Sequence, residues 1–167
     1  MIKFGLVGYG KWGKILFKTI SSIGKVVFVS NTKKTYKNKN NIDFCLVAST
    51  DSSHYRIVKY FLKKKIPVFC EKPLTRNLNQ SKELIKLSKK LKTKLYINHI
   101  ELFKKKKIKI YKSNRIVRGK TSIDNIKNIL WKLCYHDLYL LYGNLKDKKL
   151  RIKLILLSKK ELKFSIY

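Results

Sequence analysis

Gly8-Tyr9-Gly10-Lys11-Trp12-Gly13 spaces three glycines as a backbone turn must space them to hold a pyrophosphate. The first permits a tight strand-to-helix turn, the second lets a phosphate approach the main chain, and the third lets the helix pack close on the strand. The helix N-terminus behind them offers N–H groups without intrahelical acceptors and a partial positive charge. The chain has 7 glycines, and Gly5, Gly8, Gly10 and Gly13 all fall in its first turn and strand. A chain this poor in glycine that gathers them in one turn uses them there, and the chemistry this predicts is dinucleotide binding.

Elements must position that turn. Ile2–Val7 is an apolar run ahead of it and reads as a buried strand. Lys11–Ser22 carries Trp12, Ile15, Leu16, Thr19 and Ile20 at helical spacing, with Gly24 as its stop. Val26–Val29 reads as a second strand, Asn31–Asn41 as a polar loop, and Phe44–Ala48 as a third strand. Asp51 or Ser52 is placed to cap the next helix, with Tyr55, Val58, Phe61 and Leu62 on its apolar face. Ile66–Cys70 is a fourth strand. Thr75–Leu91 is an amphipathic helix with Leu78, Leu84, Ile85, Leu87 and Leu91 inward, and Leu95–Ile97 is a fifth strand.

Strands alternating with helices predict an α/β fold, a Rossmann-like doubly wound parallel sheet. Ligands of such sheets bind at the carboxyl ends of the strands. Besides the glycine turn, Ser49-Thr50-Asp51 and Glu71-Lys72-Pro73 lie at those ends. After residue 99 the rhythm changes. Lys104–Lys107 is a solvated charge run, Ile108–Val117 has strand character, Ser122–Tyr142 reads as a helix, and Leu150–Leu157 and Leu162–Ile166 read as strands. The division this implies is a dinucleotide-binding domain over 1–98 and a small, truncated α+β lobe over 99–167.

Composition narrows the function classes. A 44% hydrophobic content suffices for a core, and no run of about 18 apolar residues offers a membrane span. Residues 1–10 lack the features of a signal peptide and read as the first strand. Cys45, Cys70 and Cys134 are widely separated, without a C-x-x-C pair, which argues against a disulfide framework or a metal site and fits a reducing cytoplasm.

The formal net charge is +32. Only five of the 41 basic residues are arginine (Arg56, Arg76, Arg115, Arg118 and Arg151), and the rest are lysines scattered over nearly every polar face. That distribution reads as drift toward A and T in the coding sequence, not as the clustered footprint of a nucleic-acid interface. A basic nucleic-acid-binding protein stays as an alternative reading, and weak attraction to polyanions at low salt follows in either case.

GLVGYGKWG, IDFCLVAST followed by His54, IPVFCEKPLT and WKLCYHDLYLLYG stand in this order along the chain. With these motifs the chain resembles the glucose–fructose oxidoreductase / inositol dehydrogenase / MocA (Gfo/Idh/MocA) family of nicotinamide-dependent sugar oxidoreductases, over residues 1–98 and again over 126–143. The resemblance implies hydride transfer between NAD or NADP and a hydroxyl carbon of a sugar or nucleotide-sugar. It implies that Lys72 is catalytic, beside the nicotinamide and the substrate hydroxyl, with Glu71 orienting it and Pro73 completing the cofactor-side segment. His136 falls where the family keeps an acid/base histidine, at the end of an Asp-x-x-x-His pattern. Lys132 stands here where that aspartate belongs, and Asp137, adjacent in sequence, does not share the histidine's helix face.

The same resemblance puts Gly8, Tyr9, Gly10, Lys11, Trp12, Gly13, Ser49, Thr50 and His54 beside the cofactor, and Asn98, His99, Lys132 and His136 beside the substrate. Ser30 and Asn31 occupy the place of the family's ribose-binding acid, with Lys33 and Lys34 following. Losing that carboxylate removes both the acceptor for a 2′-hydroxyl and the repulsion toward a 2′-phosphate, so NADP stands beside NAD. Two departures bear on activity. The Asn31–Asn41 loop replaces a helix and a strand, and the region after Asn98 is shorter than the family's second domain. A degenerate dinucleotide-binding module with little catalysis is therefore the alternative within the family. An uncovered strand edge in the tail would favour a homo-oligomer.

Overall fold

The computed structural model describes residues 1–31, 36 and 41–100, and the backbone of 152–158 and 161–166. The chain divides into two compact units, Met1–His99 and Ile100–Tyr167.

In the first unit five strands form one parallel sheet. They are β1 (Lys3–Val7), β2 (Lys25–Ser30), β3 (Phe44–Val47), β4 (Val68–Cys70) and β5 (Leu95–Ile97), in the order β2-β1-β3-β4-β5. Helix α1 (Lys11–Ser21) joins β1 to β2, α2 (Asp51–Lys63) joins β3 to β4, and α3 (Leu78–Lys90) joins β4 to β5. The strand order reverses direction at β1, so the carboxyl ends of β1 and β3 open a crevice between them.

The two faces of the sheet follow the period of two that a pleated strand imposes. Val7, Cys45, Val47, Val68 and Cys70 point to one face, where Ile57, Val58, Phe61 and Leu62 of α2 and Leu84 of α3 cover them. Phe4, Leu6 and Leu46 point to the other and meet Ile20, Leu16 and Phe17 of α1. β1 has four consecutive buried residues because it is covered on both faces. Burying each large side chain contributes about 1.5–3 kcal/mol relative to exposure. Tyr36 lies in the segment read from sequence as a polar loop, yet it is 1% exposed and packs its ring 5.5 Å from Tyr60 and 5.8 Å from Phe61.

Several expected details are corrected. α1 turns Gly13, Leu16, Phe17 and Ile20 toward the sheet, while Trp12 and Ile15 are exposed. Neither Asp51 nor Ser52 caps α2. The cap position is Thr50, whose side chain makes no capping bond, and the Asp51 carboxylate is drawn to Arg76 at 2.7 Å instead. α3 begins at Leu78, later than Thr75. Asn77 caps it by accepting from the N–H groups of Asn79 and Gln80 at 2.8 and 3.2 Å. Thr75 folds back ahead of it, its hydroxyl donating to the Asn77 carbonyl at 2.6 Å. Leu78 and Ile85 are exposed, and Leu84 is the residue of α3 that is fully buried.

In the second unit the described residues form an antiparallel hairpin of β6 (Ile152–Ser158) and β7 (Glu161–Ile166). Its register pairs Ile152 with Ile166, Leu154 with Phe164 and Leu156 with Leu162, setting apolar residues opposite one another. The strand expected over Ile108–Val117, the helix over Ser122–Tyr142, and Cys134 lie outside the described residues.

Candidate functional site

The glycine turn leaves β1 at Gly8, whose N–H donates to the Ser30 carbonyl at 2.7 Å and ties the ends of β1 and β2 together. Gly8 has φ +104°, and a Cβ there would run into the backbone of Ala48 and Ser49. Gly13 is buried in the first turn of α1, where a Cβ would collide with the Gly8 carbonyl. These two contacts hold α1 against the turn. Gly10 differs: nothing lies within 4 Å of where its Cβ would sit. The space that an added side chain would fill is open, and it is the space a pyrophosphate needs.

Gly10 also caps α1 without a side chain, and the first intrahelical bond runs from the Lys14 N–H to the Gly10 carbonyl at 3.0 Å. The N–H groups of Lys11, Trp12 and Gly13 therefore have no helical acceptor. No acid stands in that first turn to oppose an anion. The turn fits the phosphates of a dinucleotide by shape, by donor supply and by sign of charge.

A cavity of about 780 Å³ opens over the turn. Gly8, Tyr9, Gly10, Lys11 and Trp12 line it, with Ser30 and Asn31 from the end of β2 and Ser49 and Thr50 from the end of β3. These are expected cofactor-side residues brought to one place. Gly13 is not in the lining because it faces the strand. Sequence reasoning missed Ser53 and Arg56, which line the cavity from α2. Helical spacing from Thr50 could have found them, since residues three and four apart share a face.

Glu71, Lys72 and Pro73 follow β4 on the same carboxyl edge but outside this lining. The Glu71 N–H donates to the Val47 carbonyl at 2.8 Å. Its carboxylate accepts from the Asn98 amide at 2.6 Å and from the Lys72 backbone N–H at 3.3 Å. Glu71 thus holds Lys72 through the main chain and joins the ends of β4 and β5. The Lys72–Pro73 peptide is cis, and Lys72 is partly buried.

His54, expected beside the cofactor, is 1% exposed and does not line the cavity. Its Nδ1 lies 2.9 Å from the Pro73 carbonyl oxygen and its Nε2 3.0 Å from that of Ser49. It spans from the β4 loop to the β3 loop as an internal strut. A neutral ring donates to one of those carbonyls, a doubly protonated ring to both. Burial holds the His99 imidazole below its ordinary pKa. His136 and Lys132 lie outside the described residues.

A parallel sheet, a glycine turn shaped for pyrophosphate and a cavity at the strand ends together define a dinucleotide-binding domain of the Rossmann type. Residues 23–99 match the family model described as the Gfo/Idh/MocA oxidoreductase family, NAD-binding Rossmann fold. That stretch of the first unit is similar to the family's NAD-binding domain. The matched span starts after the glycine turn, so the turn's geometry supports the assignment separately.

Solved structures share the fold. UDP-N-acetylglucosamine 3-dehydrogenase GnnA from Acidithiobacillus ferrooxidans aligns with a TM-score of 0.74 at 15% identity, over 93% of this chain and 61% of that one. A putative myo-inositol dehydrogenase from Sinorhizobium meliloti 1021 aligns with a TM-score of 0.73 at 16% identity, over 95% and 60%. Biliverdin reductase from Synechocystis, in complex with biliverdin and NADP+, aligns with a TM-score of 0.55 at 20% identity, over 61% and 39%. The chain thus spans about 60% of the length of the first two. No curated protein sequence matches it. Among the described residues no helix is long and apolar enough to cross a membrane.

Proposed function

We propose that the protein is an NAD- or NADP-dependent oxidoreductase acting at a hydroxyl-bearing carbon of a sugar or nucleotide-sugar. One observation carries the reading. The pyrophosphate turn and the Glu71-Lys72-Pro73 segment lie on the same carboxyl edge of the sheet, and His54 braces the loops between them. The nicotinamide supplies hydride donation or acceptance when bound. The chain's own groups do the rest. The backbone of Gly8–Gly13 holds the phosphates, and Ser49 and Thr50 line the path toward the β4 edge. Lys72 hydrogen-bonds the substrate hydroxyl and moves its proton, while Glu71 and His54 keep the Lys72 backbone in place. The substrate class is supported by the family and by similar structures that carry sugar or inositol dehydrogenase names.

A second reading is a dinucleotide-binding module with little turnover. Lys132 favours it, because a lysine cannot serve an acid/base His136 as a carboxylate would.

The deciding experiment is binding of NADH and NADPH near physiological salt, followed by nicotinamide fluorescence and tryptophan quenching. Trp12 lines the cavity, is 54% exposed and reports on it. Saturable binding that Gly10→Val abolishes and inorganic polyphosphate does not mimic is the expected result. Binding that survives Gly10→Val, or that polyphosphate matches, overturns the cofactor site. With binding in hand, a screen of sugars and nucleotide-sugars for nicotinamide absorbance change separates the readings. Turnover lost in Lys72→Ala with binding intact supports the enzyme, and binding without turnover supports the module.

A further inference from the structure

We infer that Arg56 receives the 2′-phosphate of NADP and makes the protein selective for the phosphorylated dinucleotide. The inference rests on the cofactor reading above and adds to it a residue and a preference.

The cavity has two ends. At the glycine turn the main chain supplies donors for the pyrophosphate. At the other, the residues ending β2 meet the adenosine ribose, as in any sheet of this topology. In this chain that end is Ser30 and Asn31, so no carboxylate awaits a 2′-hydroxyl. Arg56 lines the same cavity from α2, with Ser53 one turn ahead of it and Ile57 beside it. Among the described residues Lys11 and Arg56 are the cations of the lining, and no acid belongs to it.

Among the described residues Arg56 has no ion-pair partner, and it is exposed. Three acids among the described residues have partners of their own. Asp51 pairs with Arg76 at 2.7 Å, and Glu83 pairs with Lys59 at 2.6 Å and accepts from the Tyr55 hydroxyl at 2.6 Å. Asp43 accepts from the Lys3 N–H at 2.8 Å.

The residue type matters as much as its place. A guanidinium presents a planar fork that matches a phosphate with two parallel bonds, while an ammonium is a point charge. This chain uses lysine for nearly all of its basic positions, with arginine at five. Of the two arginines within the described residues, Arg76 is committed to Asp51 and Arg56 faces the cavity. A cationic fork in a cavity whose described lining holds no acid fits a 2′-phosphate better than a bare hydroxyl.

The test is equilibrium binding of NADPH and NADH to the full chain at fixed physiological salt, read by nicotinamide fluorescence. Variants are Arg56→Ala, Arg56→Lys, Lys63→Ala and Gly10→Val. Lys63 is an exposed lysine of the same helix outside the cavity, so its removal reports the effect of net charge alone. The parent chain is expected to bind NADPH about tenfold more tightly than NADH, or better. Arg56→Ala brings that ratio close to one by weakening NADPH far more than NADH, Arg56→Lys keeps part of the preference, and Lys63→Ala keeps all of it. A parent ratio near one, a ratio that survives Arg56→Ala, an equal loss of both ligands in Arg56→Ala, or an equal effect of Lys63→Ala overturns the inference. Gly10→Val separates this failure from that of the cofactor site. If it abolishes binding of both ligands while Arg56→Ala leaves the ratio untouched, only the role of Arg56 falls. If both ligands still bind, the site itself falls.

Discussion

His54 shows how much one buried side chain can organise at this site. Its two ring nitrogens face carbonyl oxygens that lie 5 and 19 residues away in sequence, on two different loops. Replacing it by alanine leaves the Ser49 and Pro73 carbonyls without their partner and opens a cavity in a fully buried place. His54→Ala is expected to cost about 2–4 kcal/mol in denaturant unfolding. His54→Gln, which keeps a donor, is expected to recover part of that. An unchanged midpoint in His54→Ala refutes the strut. The sequence placed His54 at a helix start beside the cofactor, and its position along the chain was legible. Its bonding was not, because a pattern of residue types does not state which carbonyls converge on a ring. Glu71 is a similar case. Its closeness to Lys72 was readable, while its bond to Asn98 depends on β4 and β5 being neighbours.

At the scale of elements, the sheet was readable because a period of two in buried strands and short helical crossovers leave few other arrangements. Helix faces were read less well, and α1 shows why. Sequence spacing grouped Trp12, Ile15, Leu16, Thr19 and Ile20; Leu16 and Ile20 do face the sheet, but the helix must set Gly13 against the Gly8 carbonyl, and that close approach turns Trp12, Ile15 and Thr19 outward. The glycine decides the face, and Trp12 is left at the rim of the cavity. The start of α3 was misplaced because Thr75 and Asn77 are both capping residues by type, and only the structure shows Asn77 holding the Asn79 and Gln80 N–H groups. Asn77→Ala is expected to lower stability by about 1 kcal/mol, and Asn77→Asp to preserve it. Urea midpoints of the two variants check this, and an unchanged midpoint in Asn77→Ala would show that the cap contributes nothing.

For the molecule as a whole, the buried thiols give a pH dependence with a definite sign. Burial pushes both Cys45 and Cys70 well above the ordinary thiol value of 9.0, with the neighbouring Cys70 adding to the effect at Cys45 and Glu71 to that at Cys70. A folded pKa above the unfolded one means that these groups contribute full stability below about pH 9 and lose it as pH rises further. Lysines titrate in the same range, so the informative quantity is the stability difference between the parent and a Cys45→Ala/Cys70→Ala chain. That difference is expected to shrink from pH 7 to pH 10, and a constant difference would refute the assignment. Net charge was the loudest feature of the sequence, yet a lysine excess spread over every polar face does not by itself locate a site. The informative cation is an arginine, and its place on the cavity wall emerges only once α2 and the end of β2 line one cavity.

The strand order has a consequence for how the chain is made. β1 is synthesised before the strands that flank it, yet it lies inside the sheet, with β2 on one side and β3 on the other. Each of its pairings is parallel, so neither forms as a local hairpin, and each waits for a connection to be synthesised. The glycine turn is held from beneath by Ala48 and Ser49, which emerge some forty residues after it. During translation the phosphate cradle thus appears well before the segments that give it its shape.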